Sequence, residues 1–372
     1  KQEIREIFGE LRFPLLADKP FFEELTVEGA VRYSDYNTAA SGVWAYNGGI
    51  VWSPVRDVRF RAAYGRAVRA PNIGDLFSTA SETFLNGLVD PCNQTVINDN
   101  PNRVRNCAAA GVPTTLVVNG ETRPWTNTPA SGISGIQRGN PNLAPETSDS
   151  ITVGAVFQPR WVPGLSITVD YYDIKVKNVI ASVAPQAIVN QCYDDPVGIN
   201  NPFCAAIFRR TSTDPFVNGT FQGQRDRVVA GIPNINLPQV GPSFIQQPFN
   251  YAKLRAKGID IQVDYNTDLA EDLNLSVASH NLEREDFTFV NDPLRSTRLD
   301  GTLGTPKWEA SLFTTLKFKQ FDVGYNARFV GKQAVNDWET QFSHQGRAPI
   351  NPDATPFKFY PDIVYHNLRL GF

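Results

Sequence analysis

The sequence predicts an all-β fold, namely a transmembrane antiparallel β-barrel with long loops on one side and short turns on the other. Three observations lead to this prediction. Apolar and polar residues alternate along many segments, and the connections between them sort by length. The sequence also has no run of about 18 apolar residues, which a membrane helix would need, whereas barrel strands span with about 10 alternating residues.

Eight segments show the alternation clearly. Because successive side chains of a strand point to opposite faces, each segment has one apolar face. The segments are residues 27–33, 44–52, 58–64, 151–157, 165–171, 259–265, 308–316 and 321–329. Weaker candidates near residues 2–13, 272–283 and 361–372 bring the prediction to about 11 strands, each near the length of a tilted barrel strand.

The connections divide into two groups. The short ones are residues 14–20, 53–57, 159–164, 266–272 and 319–320. The long side has residues 68–147, 178–250, 284–304 and 335–360, together with a brief connection at 35–41. Short periplasmic turns opposite long extracellular loops are typical of outer-membrane barrels, and loops of this length are unusual in a compact soluble domain.

The alternation assigns side chains to the two faces of the predicted barrel. We expect Val58, Phe60 and Val153 to face lipid. Arg59, Arg61 and Asp170 have the opposite parity, so we expect them to face the lumen.

Bulk composition excludes some classes of partner. The net charge of −3 is close to neutral, so neither nucleic acid nor an acidic partner is indicated. The chain begins at Lys1 without a signal peptide and contains no Met, and we therefore expect it to be a fragment of a longer protein.

Two stretches resemble segments of TonB-dependent outer-membrane receptors. They are residues 139–148, GNPNLAPETS, which lead into a strand, and residues 64–77, YGRAVRAPNIGDLF. The resemblance extends over the whole chain to Phe372. It implies that residues 1–372 are the C-terminal half of the β-barrel, about 11 of an expected 22 strands, with the plug domain and the N-terminal strands absent.

The resemblance also implies a function and partners. Such a receptor binds a scarce nutrient, for example a ferric siderophore, cobalamin or an oligosaccharide, and imports it into the periplasm with energy transmitted by TonB. Its partners are outer-membrane lipid, the nutrient, the barrel assembly machinery, and the TonB complex through a TonB box in the absent plug. The predicted location is the bacterial outer membrane.

Other functions stay open on the sequence alone. A passive porin-like channel or a surface glycan-binding barrel would share the strand pattern, and a plug upstream would separate these from an active transporter. A soluble β-rich glycan-binding protein or hydrolase is a third class, which would extract without detergent.

The chain end resembles the signal that the assembly machinery reads. Leu368, Leu370 and Phe372 share one face of the last predicted strand, and the chain closes on the aromatic residue. The alternative is a final strand that ends at an aromatic residue by chance.

The four cysteines form two pairs, each inside one long loop. We predict disulfides between Cys92 and Cys107 and between Cys192 and Cys204, since disulfides persist on cell surfaces. The alternatives are free thiols or a zinc site, but neither spacing fits CxxC ligands and no His is nearby.

No catalytic constellation is recognisable, and we predict neither an enzyme nor a cofactor or metal site. Asp194 and Asp195 are suitable for Ca²⁺ in principle, but a solvated acidic turn explains them as well.

The candidate ligand-binding residues are aromatic and cationic side chains in the two longest loops: Trp125, Arg138, Phe203, Phe208, Arg209 and Arg210. Packing of the loops and simple solvation are the alternative explanations for them.

Overall fold

A computed structural model describes residues 2–238, 240–292 and 295–372. The chain divides into two compact units. The strand unit comprises Lys1–Ala70, Ala144–Val179 and Asn250–Phe372, and the loop unit comprises Pro71–Leu143 and Ile180–Phe249.

Eleven long strands of the strand unit neighbour one another in chain order in a single sheet. They are β1 (Ile4–Lys19), β2 (Phe22–Tyr36), β3 (Gly42–Val55), β4 (Val58–Arg69), β5 (Glu146–Phe157), β6 (Leu165–Ser182), β7 (Pro248–Ala270), β8 (Leu273–Asp292), β9 (Trp308–Phe318), β10 (Phe321–Val330) and β11 (Ile363–Gly371). A short strand, Arg295–Arg298, also pairs with β8. Every pair of these eleven strands whose register is described is antiparallel, so the predicted all-β antiparallel barrel-type architecture is confirmed.

One face of the sheet carries paired charges. Arg61 on β4 and Asp170 on β6 both lie opposite Gly154 on the intervening β5. The Nε of Arg61 donates to Oδ1 of Asp170 over 2.9 Å. A Cβ at Gly154 would collide with the Asp170 carboxylate, so the glycine leaves the space in which this ion pair crosses a strand.

The other face is apolar and exposed. Val153 is 50% exposed although it lies in the middle of β5, and Trp52 stacks on the opposite Phe60 with ring centroids 5.6 Å apart. A soluble sheet buries its apolar face, whereas a membrane barrel turns it outward and keeps polar groups inside. The residues expected to face lipid and lumen therefore lie on opposite faces of the sheet.

Aromatic side chains form two rows on the apolar face. The lower row, Trp52 and Phe60, lies near the short turn between β3 and β4. The upper row consists of two ring pairs toward the opposite ends of the strands, Tyr33 with Trp44 at 4.9 Å and Tyr46 with Tyr64 at 6.3 Å. Aromatic girdles at both interfaces are characteristic of outer-membrane barrels.

The first predicted turn, residues 14–20, is wrong. β1 continues through Pro14 to Lys19, with an irregular register between Pro14 and Leu16. Proline lacks a backbone donor and is tolerated on edge strands, and β1 is an edge of the sheet. The predicted loop at 284–304 is also too long, because β8 extends to Asp292; residues 293–294 lie outside the described chain.

The two edge strands are highly exposed. Every described residue of β1 is exposed, and Leu368, Leu370 and Phe372 at the end of β11 are 69%, 74% and 93% exposed. Within the described residues, neither β1 nor β11 has a partner on its outer edge.

Helices and small strands occupy the connections. The helices are α1 (Ile73–Phe77), α2 (Arg103–Ala109), α3 (Pro185–Asp194) and α4 (Trp338–Gln341), with single 3₁₀ turns at Ile97–Asp99 and Cys204–Ala206. The small strands are Ser81–Leu85, Thr115–Val118, Glu121–Pro124, Ile133–Gln137, Asp226–Arg227, Ile235–Asn236, Ile245–Gln246, Gln333–Ala334 and Phe359–Tyr360. In the part of the chain that is described, no helix has the length and apolar character needed to cross a membrane.

The two faces can be distinguished by single cysteines. We expect Arg61→Cys, on the ion-paired face, to react with a membrane-impermeant thiol reagent in outer-membrane preparations, and Val153→Cys to be spared because lipid covers it. The native cysteines do not interfere, since all four are in disulfides. Equal labelling at both positions would contradict the assignment of the faces.

Candidate functional site

The two longest connections fold together. Sequence reasoning treated residues 68–147 and 178–250 as separate loops, but Pro71–Leu143 and Ile180–Phe249 form one compact unit with its own buried core. Trp125, Tyr193, Phe221 and Phe244 are among its largest fully buried side chains. The candidate site is therefore a folded body made from both connections.

A small sheet joins the two connections through the backbone. Ile133–Gln137 pairs antiparallel with Ser81–Leu85 and parallel with Ile245–Gln246 of the second connection. The amide of Ile136 donates to the carbonyl of Phe244 over 2.9 Å. A Cβ at Gly135 would enter the Phe244 ring, so glycine permits this close approach.

Both predicted disulfides are present, each within one connection. Cys92–Cys107 attaches α2 to the segment before it, and Cys192–Cys204 attaches the end of α3 to the 3₁₀ turn that follows. α3 begins with Pro185, which suits the first turn of a helix, and it ends at Asp194, shortly before Pro196. The crosslinks restrict each connection in its unfolded ensemble.

A buried ion pair links the connections to each other. Oδ1 and Oδ2 of Asp90 accept hydrogen bonds from the guanidinium of Arg209 over 2.7 and 2.8 Å. Asp90 also accepts from the amide of Cys92 and from Nδ2 of Asn127, so its carboxylate is fully hydrogen-bonded. The side chains of Asp90 and Arg209 are 0% and 7% exposed.

Arg209 has further partners in the second connection. Its Nε donates to the hydroxyl of Tyr193 over 2.6 Å, and its guanidinium lies 4.1 Å from the centroid of the Phe221 ring. Burial disfavours the charged form of Arg209, but the electrostatic attraction and hydrogen bonds of Asp90 and Tyr193 favour it more strongly. The pKa of Arg209 is therefore raised. Burial also raises the pKa of the Tyr193 hydroxyl.

A second ion pair joins α2 to the end of α3. Nε of Arg103 donates to Oδ1 of Asp194 over 2.6 Å, and Nδ2 of Asn106 donates to the carbonyls of Tyr193 and Asp195 over 2.9 and 2.8 Å. Asp194 is thus occupied by an arginine. Among the described residues, no group of three or more His, Cys, Asp or Glu is placed to hold a metal ion.

Arg210 and Arg227 are buried without a carboxylate among the described ion pairs. Arg210 donates to the carbonyls of Gln222, Gln224 and Pro238 over 2.6–2.8 Å. Burial lowers the pKa of Arg210, and it lowers the pKa of Arg227 to about 10. Backbone oxygens therefore hold both guanidinium groups inside the loop unit, and Arg227 also donates to the carbonyls of Thr126 and Phe216.

The predicted ligand-binding residues divide into an internal and an accessible group. Trp125 is 0% exposed beneath the Arg227 guanidinium, 5.0 Å away, and Phe203 is buried against Phe249. Arg209 and Arg210 are internal as described above. Phe208 is half-buried and Arg138 is exposed, with its Nε 3.4 Å from Oε1 of Gln247. Ligand binding by these six residues stays a prediction, and five of them have side-chain partners within the loop unit.

A cavity of about 680 Å³ opens beside the second disulfide. Its lining mixes amide, hydroxyl, guanidinium and apolar groups from residues between Ala110 and Thr211. Arg209 and Arg210 line it, whereas Tyr193, Asn200, Asn201 and Thr211 were missed by sequence reasoning. The only available signal was their position on either side of Cys204, because Asn and Thr in a loop are otherwise unremarkable.

The Arg103–Asp194 pair provides a test of the joint folding. We expect Arg103→Met to destabilise the loop unit by about 2–3 kcal/mol, because Asp194 loses its partner in a partly buried setting. Limited proteolysis should then cut faster in both connections, although only the first is changed. Arg138→Met, which removes an exposed arginine from the same connection, is the control. Faster cutting in the first connection alone would contradict joint folding.

Comparison with known proteins agrees with the fold. The sequence matches the family described as TonB dependent receptor-like, beta-barrel, over residues 2–372. No curated protein matches the sequence. The structure is similar to the siderophore receptor PirA of Acinetobacter baumannii, with a TM-score of 0.56 and 13% identity over 100% of this chain and 39% of that one.

A second similar structure is the ferric enterobactin receptor of Pseudomonas aeruginosa, with a TM-score of 0.54 and 13% identity over 99% of this chain and 37% of that one. The chain thus spans about two fifths of the length of these receptors. At such identities the likeness shows the fold alone. The family match covers nearly every residue, and the chain belongs to the TonB-dependent receptor β-barrel family.

Proposed function

We propose that the chain is the C-terminal half of the barrel of an outer-membrane receptor, which binds a scarce nutrient and imports it into the periplasm with energy transmitted by TonB. The family match and the exposed apolar face of the sheet support the membrane location. The loop unit contributes to the nutrient-binding surface.

The observation that carries the binding role is the cavity of the loop unit. Its volume of about 680 Å³ is within the range of roughly 300–1,000 Å³ typical of small-molecule sites. Two disulfides and two cross-connection ion pairs hold its surroundings, which reduces the ordering entropy that a long loop loses on binding a ligand.

The lining favours an oxygen-rich ligand. Asn200 and Thr211 provide donors and acceptors, and Arg210, which has no carboxylate among the described ion pairs, adds a cationic group that suits an anion. Similar receptors are, by their names, a siderophore receptor and a ferric enterobactin receptor. A ferric siderophore is therefore the first candidate nutrient, ahead of cobalamin or an oligosaccharide.

The exposed edges support the proposal that the chain is half of a barrel. Unpaired backbone groups cost several kcal/mol each in hydrocarbon, so β1 and β11 require partner strands in a membrane. The absent N-terminal strands are those partners, and an absent plug contacts the ion-paired face and carries the TonB box. Phe372, Leu370 and Leu368, all exposed, serve as the signal for the barrel assembly machinery.

The alternative is a passive porin-like channel or a surface glycan-binding barrel. Either would use the same strand unit, and the loop unit would then act as a constriction or an adhesive surface. Energy dependence separates the classes, because passive diffusion does not require TonB.

A cavity-filling variant tests the proposal. Asn200 is exposed and lines the cavity, so we expect Asn200→Trp in the full-length receptor to weaken ferric enterobactin binding at least tenfold, which corresponds to about 1.4 kcal/mol or more. Asn234→Trp, at an exposed position of the same unit outside the cavity lining, is the matched control.

Calorimetry in detergent gives the affinity, and uptake of the ferric complex by cells with and without TonB gives the transport class. Cobalamin and an oligosaccharide run as parallel ligands. Energy-independent uptake of all three would contradict active import. Tight binding of one of them that Asn200→Trp leaves unchanged would remove the cavity from the binding site.

A further inference from the structure

The small sheet inside the loop unit has an open edge. Its strand order is Ile245–Gln246, Ile133–Gln137 and Ser81–Leu85, and in the described part of the chain no strand pairs with the outer side of Ser81–Leu85. We call Ser81–Leu85 the edge strand and Ile133–Gln137 the middle strand. Unpaired backbone groups along an edge are a template for a further strand.

The hydrogen bonds of the middle strand show which groups of the edge strand point outward. The amide of Ile136 points away from the edge strand, because it donates to the carbonyl of Phe244. Amide and carbonyl groups of successive strand residues alternate in direction, so those of the neighbouring Gly135 point toward the edge strand. The register partner of Gly135 is Thr83, whose backbone groups therefore point inward.

The residues on either side of Thr83 consequently direct their amide and carbonyl groups outward. These residues are Glu82 and Phe84, and among the described residues their outward groups have no hydrogen-bond partner. The edge strand thus offers two donors and two acceptors, in the alternating pattern that another strand requires.

One face of this sheet is covered, whereas the other is open. The face that Thr83 shares with Gly135 packs on the core, since a Cβ at Gly135 would enter the Phe244 ring. On the other face Glu82 lies opposite Ile136, and both line a cavity of about 340 Å³ beside the edge strand. A side chain of an added strand can enter this cavity.

The side chains on the open face are accessible. Phe84 is 53% exposed, and Glu82 is exposed as well. Glu82 belongs to none of the described ion pairs of the loop unit, whose carboxylates are those of Asp90, Asp99, Glu121 and Asp194. The open edge therefore carries one apolar group and one negative charge that lack partners of complementary chemistry.

We propose that the edge strand binds an extended peptide segment of a partner protein, which adds to the small sheet as an antiparallel strand. Main-chain hydrogen bonds to Glu82 and Phe84 supply affinity, and the alternate side chains supply specificity. The proposal concerns the loop unit alone and depends on neither the nutrient nor TonB.

The geometry also defines the sequence of the partner. In an antiparallel pair, the peptide residues directly opposite Glu82 and Phe84 exchange both backbone hydrogen bonds with them, and their side chains share the open face. A basic residue opposite Glu82 gives an opposite-charge pair, and an apolar residue opposite Phe84 covers its ring. Read from its N-terminus, the peptide therefore has an apolar residue, any residue, and then a basic residue.

The test uses the detergent-purified full-length receptor and the blocked, fluorescently labelled pentapeptide Thr-Val-Thr-Lys-Thr, with binding measured by anisotropy. We expect Glu82→Lys to weaken binding of this peptide about fivefold, and to strengthen binding of the peptide with Glu in place of Lys by a similar factor. Glu121→Lys, at an exposed position in another hairpin of the same unit, is the matched control and should alter neither affinity.

Backbone methylation separates strand addition from side-chain contact. Methylation of the valine and lysine amides removes the donors that face the edge strand, and should weaken binding at least about tenfold. Methylation of the central threonine amide, which points away from the edge strand, should change binding by less than about twofold. Equal effects of the two methylations would contradict strand addition.

Hydrogen exchange of the Glu82 and Phe84 amides tests whether the edge is open. We expect fast exchange in the free receptor and slower exchange with the peptide. Slow exchange at every receptor concentration would show that an absent segment of the receptor covers the edge, and slow exchange only at high concentration would show a second copy there. Either result would overturn the proposal, as would a wild type that does not bind the peptide or a Glu82→Lys variant with unchanged affinity for both peptides.

Discussion

The loop unit depends on the buried ion pair between Asp90 and Arg209. Two charges in a dry interior are stable only when both are paired and fully hydrogen-bonded, and Asp90 achieves this with donors from Arg209, Cys92 and Asn127. Arg209 belongs to the other connection, so neither connection can bury its half of the pair alone. Because Arg209 also holds Tyr193, the wall of the cavity follows from the same interaction.

The two units handle charge in opposite ways. The loop unit contains no lysine and buries four arginines, Arg103, Arg209, Arg210 and Arg227. A planar guanidinium group can donate to several carbonyls at once, as that of Arg210 does. The strand unit has all the lysines and places ion pairs such as Arg61–Asp170 on one face of its sheet. Its apolar face is exposed, and Lys175 and Lys177 lie near one end of it. Each pattern suits the solvent that the proposed location gives it, namely water around the loop unit and lipid around the strand unit.

The strands were predictable because a side-chain period of two is a local signal, and the disulfides were predictable because each pair is isolated within one connection. The predicted turn at 14–20 was wrong. Pro14 normally indicates the end of a strand, but an edge strand such as β1 tolerates a proline. The joint folding of the loops was beyond sequence reasoning. Asp90 and Arg209 are 119 residues apart, with no periodic relation between them. Trp125 was predicted to bind ligand because the sequence does not show whether an aromatic residue in a loop is exposed or buried. In the structure its side chain is fully buried.

The most direct measurement of the central claim is a double-mutant cycle on Asp90→Asn and Arg209→Met. Hydrogen exchange of the loop unit in the intact protein gives the free energy of its opening for wild type, both single variants and the double variant. Joint folding predicts a loss of about 3–5 kcal/mol for Arg209→Met, and a coupling energy of at least about 1.5 kcal/mol between the two sites. Protection should fall in both connections in each single variant. Changes that add to within about 0.5 kcal/mol, and that stay in the connection that carries the substitution, would contradict the account.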